Sequence, residues 1–510
     1  MKRLIVEPNR YFDSVFLMRI GTELERLDGI EHAVVAMGTP ANLENLAAVG
    51  FALDEAASPI RPADLVIAVD GVSEGAIGAA RERLEVLLAG SIEAGPGVAE
   101  MRPGSLREAI ALDPGSNLAL ISVPGAYAAR EARRALRAGL HVMLFSDNVS
   151  VADEIALKDE AIERGLLMMG PDCGTAILNG APLGFANACR VGRIGIVGAS
   201  GTGIQEISCA VHRLGGGVSQ AIGTGGRDLS SDVDARMTRF GIEALARDPR
   251  TDVIVVVSKT PAPAVADRVI AALSEAEKPG VVHFVGEGGK PAMGDVAFAA
   301  TLADAGRLAC AAGGLEISAA DSSTGVLAKA ETDRAPAGRL VGLFTGGTLC
   351  QEAWALITRA GLAVHSNVAA DPQWKVQPDA DVAEHVLWDL GDDAFTVGRP
   401  HPMIEPALRD DRVAEAGDDP TVRVILVDCV LGYGAHADPA GSLAAGARRA
   451  TAAKSGRDLT IVASVTGTDL DPQNAATQRR VLADAGIVVA ESNADAAHVA
   501  ISALRKGGRS

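Results

Sequence analysis

From its first residues the chain alternates short apolar runs with amphipathic stretches. YFDSVFLMRIGTELERLDGIEHAVVAMGT (11–39) reads as strand, helix and strand, and DLVIAVDG (64–71) and the helical SEGAIGAARERLEVLLAG follow it. This mixed order in a short span predicts a small α+β domain over residues 1–104. Asn9, Asp13 and Ser14, close to its first strand, read as turn and cap residues. Over 105–190 the pattern becomes a βαβ crossover: NLALISVP (117–124), the helical GAYAAREARRALRAG, then the apolar LHVMLFSDN. A further helix, VADEIALKDEAIERG, leads into LLMMGPDCGTAILNG (166–180). There Gly170, Pro171, Asp172, Cys173 and Gly174 form a turn at the carboxyl end of a strand, where ligands gather in open α/β sheets;.

RIGIVGASGTGIQEIS (193–208) runs from an apolar strand through a turn of small residues, Gly198 to Gly203, into a helical pattern starting at Ile204 and Ile207. LVGLFTGGTLCQEAW (340–354) repeats it, with Gly347, Thr348, Gln351 and Glu352 at the spacing of Gly201, Thr202, Gln205 and Glu206, 146 residues on. A second match follows each copy. ALARDPRTDVIVVVSK (244–259) resembles VAEAGDDPTVRVILVDCV (413–430), a DP-containing loop leading into a buried strand. The repeats predict two related, doubly wound α/β domains, 191–330 and 339–510, joined by a polar Ala/Pro/Gly linker near 330–338. Each glycine turn should open a helix at the carboxyl end of a strand.

With 510 residues the chain is long enough for three or four domains;. The sequence contains no run of 18 apolar residues, and its start lacks a signal-peptide apolar core, so a cytoplasmic protein without a membrane span is expected;. Six scattered cysteines without a CxxC pair suggest neither a disulfide framework nor a zinc site, and no metal is expected;. A formal charge of −18 and 3% aromatic residues argue against nucleic acid as a partner;. A site for a small anion must therefore be local, built from backbone amides and a few cationic side chains.

The glycine turns supply such amides, because the first N–H groups of a helix have no internal partner and lie at its positive dipole end. The candidates are Ser200, Gly201, Thr202 and Gly203, and Gly346, Gly347 and Thr348; an ordinary capped βα turn is the plainer reading of each;. A further loop, QAIGTGGRDLSSDVDARM (220–237), offers Gly225, Gly226 and Arg227, whose guanidinium suits a bidentate oxyanion or, paired with Asp228, pins the loop;. DCVLGYGAHADPAG (428–441) places His436 in a loop after a buried strand, beside Gly432, Gly434 and Asp438, where it could polarise a carbonyl or move a proton;. Cys173 could serve as a nucleophile, but it has no histidine nearby in sequence to activate it;. His283, inside an apolar run, reads as a core residue.

VPGAYAAREARRALRAGLHVMLFSDNVSVADEI, GPDCGTAILNG and RIGIVGASGTGIQEIS resemble the α subunit of succinyl-CoA synthetase, and the last domain resembles the carboxyl-terminal domain of its β subunit. That likeness implies a Rossmann-like domain over 105–190 and flavodoxin-like domains over 191–330 and 339–510. Over nearly the whole length, including NRYFDSVFLM and MGTPANLE, the chain resembles the FdrA family, whose motifs GASGTGIQE, GTGGRDLS and GYGAHADP it carries. Two parts of the synthetase, the loop histidine that carries phosphate and an ATP-grasp domain, are not evident. The FdrA resemblance implies a role in purine and allantoin breakdown, as a subunit of oxamate carbamoyltransferase working with two further proteins encoded nearby. That enzyme interconverts oxalurate plus phosphate with oxamate plus carbamoyl phosphate.

Carbamoyl transfer to oxamate is accordingly the first reading, with phosphate or carbamoyl phosphate on the Ser200–Gly203 turn and Arg227 and His436 as the catalytic candidates. An acyl-CoA ligase or CoA-binding protein is the second, which would make CoA or a nucleotide the cofactor. A non-catalytic subunit that binds a phosphorylated ligand is the third. Oligomer formation stays open.

Overall fold

The computed structural model describes residues 1–8, 10, 12, 14–39, 42–43, 46–47, 50–51, 59–61, 64–90, 103–317, 338–369, 371–378, 380–396, 400–452 and 459–506. Asn9 and Asp13, and most of the linker read near 330–338, fall outside them. The chain forms two compact units, Met1–Arg102 with Asp393–His401, and Pro103–Asp392 with Pro402–Ser510.

In the first unit an antiparallel sheet has the order Lys2–Glu7, Leu65–Gly71, Ile30–Met37. Its central strand, LVIAVDG, is buried on both faces. Leu65, Ile67 and Val69 meet the helices Ser14–Glu25 and Glu74–Gly90 through Leu17, Leu24, Leu84 and Leu88. Val66 and Ala68, on the alternate side of the pleat, pack with Leu46 and Phe51;. The α+β class expected for this segment forms, but its first strand is Lys2–Glu7, ahead of the 11–39 stretch read as strand, helix and strand, whose described residues form the helix Ser14–Glu25 and the strand Ile30–Met37.

The second unit holds three sheets. A parallel one runs Leu118–Ile121, His141–Leu144, Met168–Met169. The helix Gly125–Arg137 crosses over it, burying Ala128, Ala132, Ala135 and Leu136 while its arginines face outward;. After the third of these strands comes a hairpin, Thr175–Leu178 with Ala181–Gly184, turning at Asn179 and Gly180, both at positive φ as a type I′ turn requires;. This hairpin joins the next sheet by antiparallel pairing to Val218–Gly223.

The remaining two sheets carry the repeats. Numbered from the glycine-turn strand Val191–Ala199, the parallel strands of the seven-stranded sheet have the order 2-1-3-4-5; strand 3 is Val253–Ser258 and strand 4 Gly280–Phe284. The six-stranded sheet, numbered from Arg339–Phe344, has the same order, with His385–Asp389 as strand 2, Val422–Val430 as strand 3 and Val364–Ser366 added at the edge. This is the flavodoxin-like doubly wound order, whose ligand crevice opens between the carboxyl ends of strands 1 and 3. Among the described residues no helix is long and apolar enough to cross a membrane.

Candidate functional site

Both glycine turns open helices where the pattern placed them. Ser200, in an extended conformation, caps Gly201–Arg213, its Oγ accepting from the Gly203 amide at 3.0 Å. Gly346 precedes Gly347–Arg359. The two helix starts meet: the Ser200 and Thr348 hydroxyls are hydrogen-bonded at 2.7 Å, and a side chain at Gly346 would strike Thr202. Two positive dipole ends thus face each other across the boundary of the repeats, an arrangement that calls for negative charge between them.

At the second turn the chain supplies that charge. Asp428, fully buried on strand 3, accepts from the amides of Thr345 and Gly346 at 2.8 Å each and from the Thr345 hydroxyl at 3.0 Å. Asp389, the last residue of strand 2, lies so close to Gly347 that a Cβ there would collide with its carboxylate. Burial raises both carboxyls; Asp389 is pushed up to about 6, with Lys259 pulling the other way;. At the first turn Ser200 satisfies one amide and no carboxylate is bonded to the Gly201–Gly203 segment among the described residues. The amides of Gly201 and Thr202 have no carbonyl one helical turn back to receive them.

The repeated Gln–Glu pair proves to be joinery. Glu206 accepts from the Thr466 hydroxyl at 2.5 Å and from the amide of Asn493, first residue of the last helix of the second repeat. Glu352 accepts from the amide of Leu302, first residue of the last described helix of the first repeat, at 2.7 Å, and from Asn493 Nδ2 at 2.8 Å. Each repeat therefore caps the terminal helix of the other. Burial lifts Glu352 to about 7, and Glu206 and Asp495 add to the rise. Gln205 Nε2 donates to Phe185 O at 2.6 Å, Asn187 Oδ1 at 3.1 Å and Leu431 O at 3.2 Å, leaving Oε1 buried without a partner.

The remaining sequence candidates lie elsewhere. The described bonds of Arg227 go to neither glycine turn: its guanidinium binds Glu154 at 2.9 Å and the Val149 carbonyl at 2.7 Å. It does not pair with Asp228, which instead takes the fully buried Lys158 and caps the helix after its loop through the Met237 and Thr238 amides. The cluster Lys158, Glu154, Asp228 and Arg227 pins the loop to the helix Val151–Glu163. Gly225 and Gly226 pack against Pro171 and Asp172, so these two loops do come together. Cys173 is buried beside them, and desolvation raises its thiol to about 12, which keeps it protonated and unreactive;. His436 accepts the Asp438 amide on Nδ1, leaving Nε2 as the donor atom;. Its loop packs on Phe185, and the described residues show no bond from it to either turn. His283 is a buried strand residue bonded to the Ala299 carbonyl, its ring held down to about 4 by burial.

Lys259, Asp389 and Asp428 were not singled out from the sequence. The available signal was a charged residue in or just after an otherwise apolar strand, as in VIVVVSK, HVLWD and VILVDCV;.

Three family models match. Residues 1–102 fit "AllF, heavy metal-associated domain", 190–286 "CoA binding domain" and 343–503 "CoA-ligase". The first span contains no cysteine and one histidine, His32, so a thiolate metal site of the kind its name suggests does not fit it;. The protein YahF of Escherichia coli (strain K12), described as uncharacterized, is 44% identical over 517 residues, 99% of each chain. The α subunit of succinate–CoA ligase [ADP-forming] from Aquifex aeolicus (strain VF5) is 31% identical over 161 residues, 30% of this chain and 51% of that one. The match thus spans about half the length of that ligase subunit. Among solved structures, the dinucleotide-forming acetyl-coenzyme A synthetase 1 of Ca. Korarchaeum cryptofilum with phosphate and ADP aligns over 76% of this chain and 82% of its own, at 18% identity and a TM-score of 0.28.

Proposed function

The chain belongs to the FdrA family, and from that premise we propose that it is the anion-holding subunit of an oxamate carbamoyltransferase. Phosphate or carbamoyl phosphate sits on the Gly201–Gly203 helix start, and the carbamoyl group passes between phosphate and the amide nitrogen of oxamate. In the direction of oxalurate synthesis the carbonyl C–O bond to phosphate breaks, a C–N bond to oxamate forms, and the amide proton leaves with phosphate. Such a transfer depends on orientation and on donors at the carbamoyl oxygen. His436 Nε2 is the candidate donor, its tautomer fixed by the Asp438 amide.

The observation that carries the reading is the inequality of the two turns. Asp428 and Asp389 fill the second with the chain's own charge, while the first offers amides, a hydroxyl and a dipole end without a carboxylate;. One anion, not two, belongs at this pair of helices. The test reconstitutes the protein with the partner subunits encoded nearby and follows oxamate-dependent phosphate release from carbamoyl phosphate. Gly201→Val should abolish it, because a side chain there presses on Thr175 Oγ1, 3.3 Å from the first added carbon, and fills the turn. Normal turnover by that variant places the anion elsewhere.

The CoA-ligase and CoA binding matches support a second reading, an acid–thiol ligase or CoA-binding protein. Retention of CoA by the purified chain, together with CoA-dependent acyl transfer, would favour it over the first.

A further inference from the structure

We infer that Lys259 is the cation that holds the anion on the first glycine turn, and that the ligand it holds is a phosphorylated amide. The inference rests on the anion site proposed above. Ser258, the last residue of strand 3, pairs with Ala199, the last residue of strand 1, in parallel register. The next residues, Lys259 and Ser200, therefore leave adjacent strands side by side, at the point where the chain connections diverge and a crevice opens. Lys259 is exposed and carries the positive charge that acts on Asp389 and Cys350 of the other repeat. Its backbone thus starts beside the first turn and its charge is felt at the second, while the Arg227 guanidinium is taken up by Glu154 and the Val149 carbonyl.

A second observation narrows the ligand. Gln205 lies four residues after Gly201, one turn along the same helix face, and is almost wholly buried;. Its Nε2 faces three oxygen acceptors, which fixes the amide orientation, so the unpartnered atom is an acceptor;. A bare phosphate dianion has no use for a further acceptor. A carbamoyl phosphate has an amino group that can donate to it, while its phosphoryl oxygens take the Gly201 and Thr202 amides, Ser200 and Lys259. In the empty protein the positive charge of Lys259 favours the ionised form of Asp389;. When that charge turns to an incoming anion, Asp389 loses this support and takes up a proton;.

The experiment is calorimetric titration of the full chain near pH 6.5 with inorganic phosphate and with carbamoyl phosphate, in two buffers of different ionisation enthalpy. Lys259→Ala should weaken both ligands about 10- to 100-fold, the loss of one charge-assisted contact. Lys259→Arg should lose only a few-fold, and Arg227→Ala should stay within about twofold of wild type. Carbamoyl phosphate should bind more tightly than phosphate, by a margin that Gln205→Leu removes. With either ligand, wild type should take up more protons on binding than Asp389→Asn does. If Gly201→Val abolishes binding but Lys259→Ala leaves it unchanged, the anion site stands and this assignment is overturned. If Lys259→Ala abolishes binding while Gly201→Val binds normally, the anion is not on the turn, and both the site and the assignment as stated fail. Wild type that binds neither ligand also overturns both. Because Lys259 is exposed, an unchanged melting temperature will show that its variants are folded.

Discussion

Glu352 offers a stability test whose sign the structure fixes. Its carboxyl is buried between Leu302, Asn493 and the like charge of Glu206, and rises from 4.5 to about 7 on folding, with desolvation the largest cause. Between those values the folded protein binds more protons than the unfolded chain. Stability therefore falls as pH rises through the window, and the contribution present below pH 4.5 is lost above pH 7. At 1.36 kcal/mol per pH unit the loss is about 3 kcal/mol. Glu352→Gln mimics the protonated acid and keeps an oxygen for the Leu302 amide. Its new N–H group needs an acceptor, and Asn493 Oδ1, buried without a partner, can turn to provide one at the expense of the Asn493 bond to Leu349 O. That exchange costs about 1 kcal/mol. The variant should thus be slightly weaker than wild type at pH 5 and about 2 kcal/mol more stable at pH 8. All three tryptophans, Trp354, Trp374 and Trp388, lie in the second repeat, so their fluorescence follows its urea transition directly. Midpoints measured at half-unit steps from pH 5 to 8 should fall for wild type relative to Glu352→Gln, the titration of Asp389 being common to both;. Parallel curves would refute the placement of the proton.

Other expectations follow from single contacts. Gly203→Ala puts a Cβ into Ser200 Oγ and against Val257, so it should lower the melting temperature by several degrees and weaken phosphate binding about tenfold, whereas Gly201→Ala should be milder;. Lys158→Met leaves Asp228 buried without its cation and Glu154 with Arg227 alone, and should cost about 3 to 5 kcal/mol, read by thermal unfolding, with faster proteolysis of the 224–235 loop;. Cys173 should resist iodoacetamide in native protein at pH 8 while half-buried Cys189 is labelled first, as peptide mass spectrometry would show;.

What was legible in the sequence was local. Strand, glycine turn and helix follow one another within about fifteen residues, so both turns, the Ser200 cap and the doubly wound class around them could be anticipated. The Asn179–Gly180 hairpin was equally local, an Asn-Gly pair between two short runs;. The partners that decide chemistry were not local. Arg227 looked available because Glu154, 73 residues upstream, could not be seen beside it, and Asp428 bonds Thr345 across 83 residues. Gln205 and Glu206 marked the repeat because they recur in the second copy at the same spacing. Spacing records a shared helix face, but it cannot say that the face meets another domain 260 residues on, at Thr466.

The exchange of caps between Glu206 and Glu352 also bears on motion. To swing apart like a clamshell, the two repeats would have to strip the acceptors from the first amides of two helices, separate the Ser200 and Thr348 hydroxyls and leave two carboxylates without their donors. Each bond left unmade inside protein costs about 1 to 3 kcal/mol, so full opening competes with unfolding. Substrate must then arrive and leave along the rim of the crevice, by movement of loops and of Lys259, while the two helices stay fixed as a rigid jig. The same bonds make the repeats a poor target for dissection. Either half produced alone would expose a buried glutamate and an uncapped helix, and would be expected to aggregate rather than report on the activity of the whole.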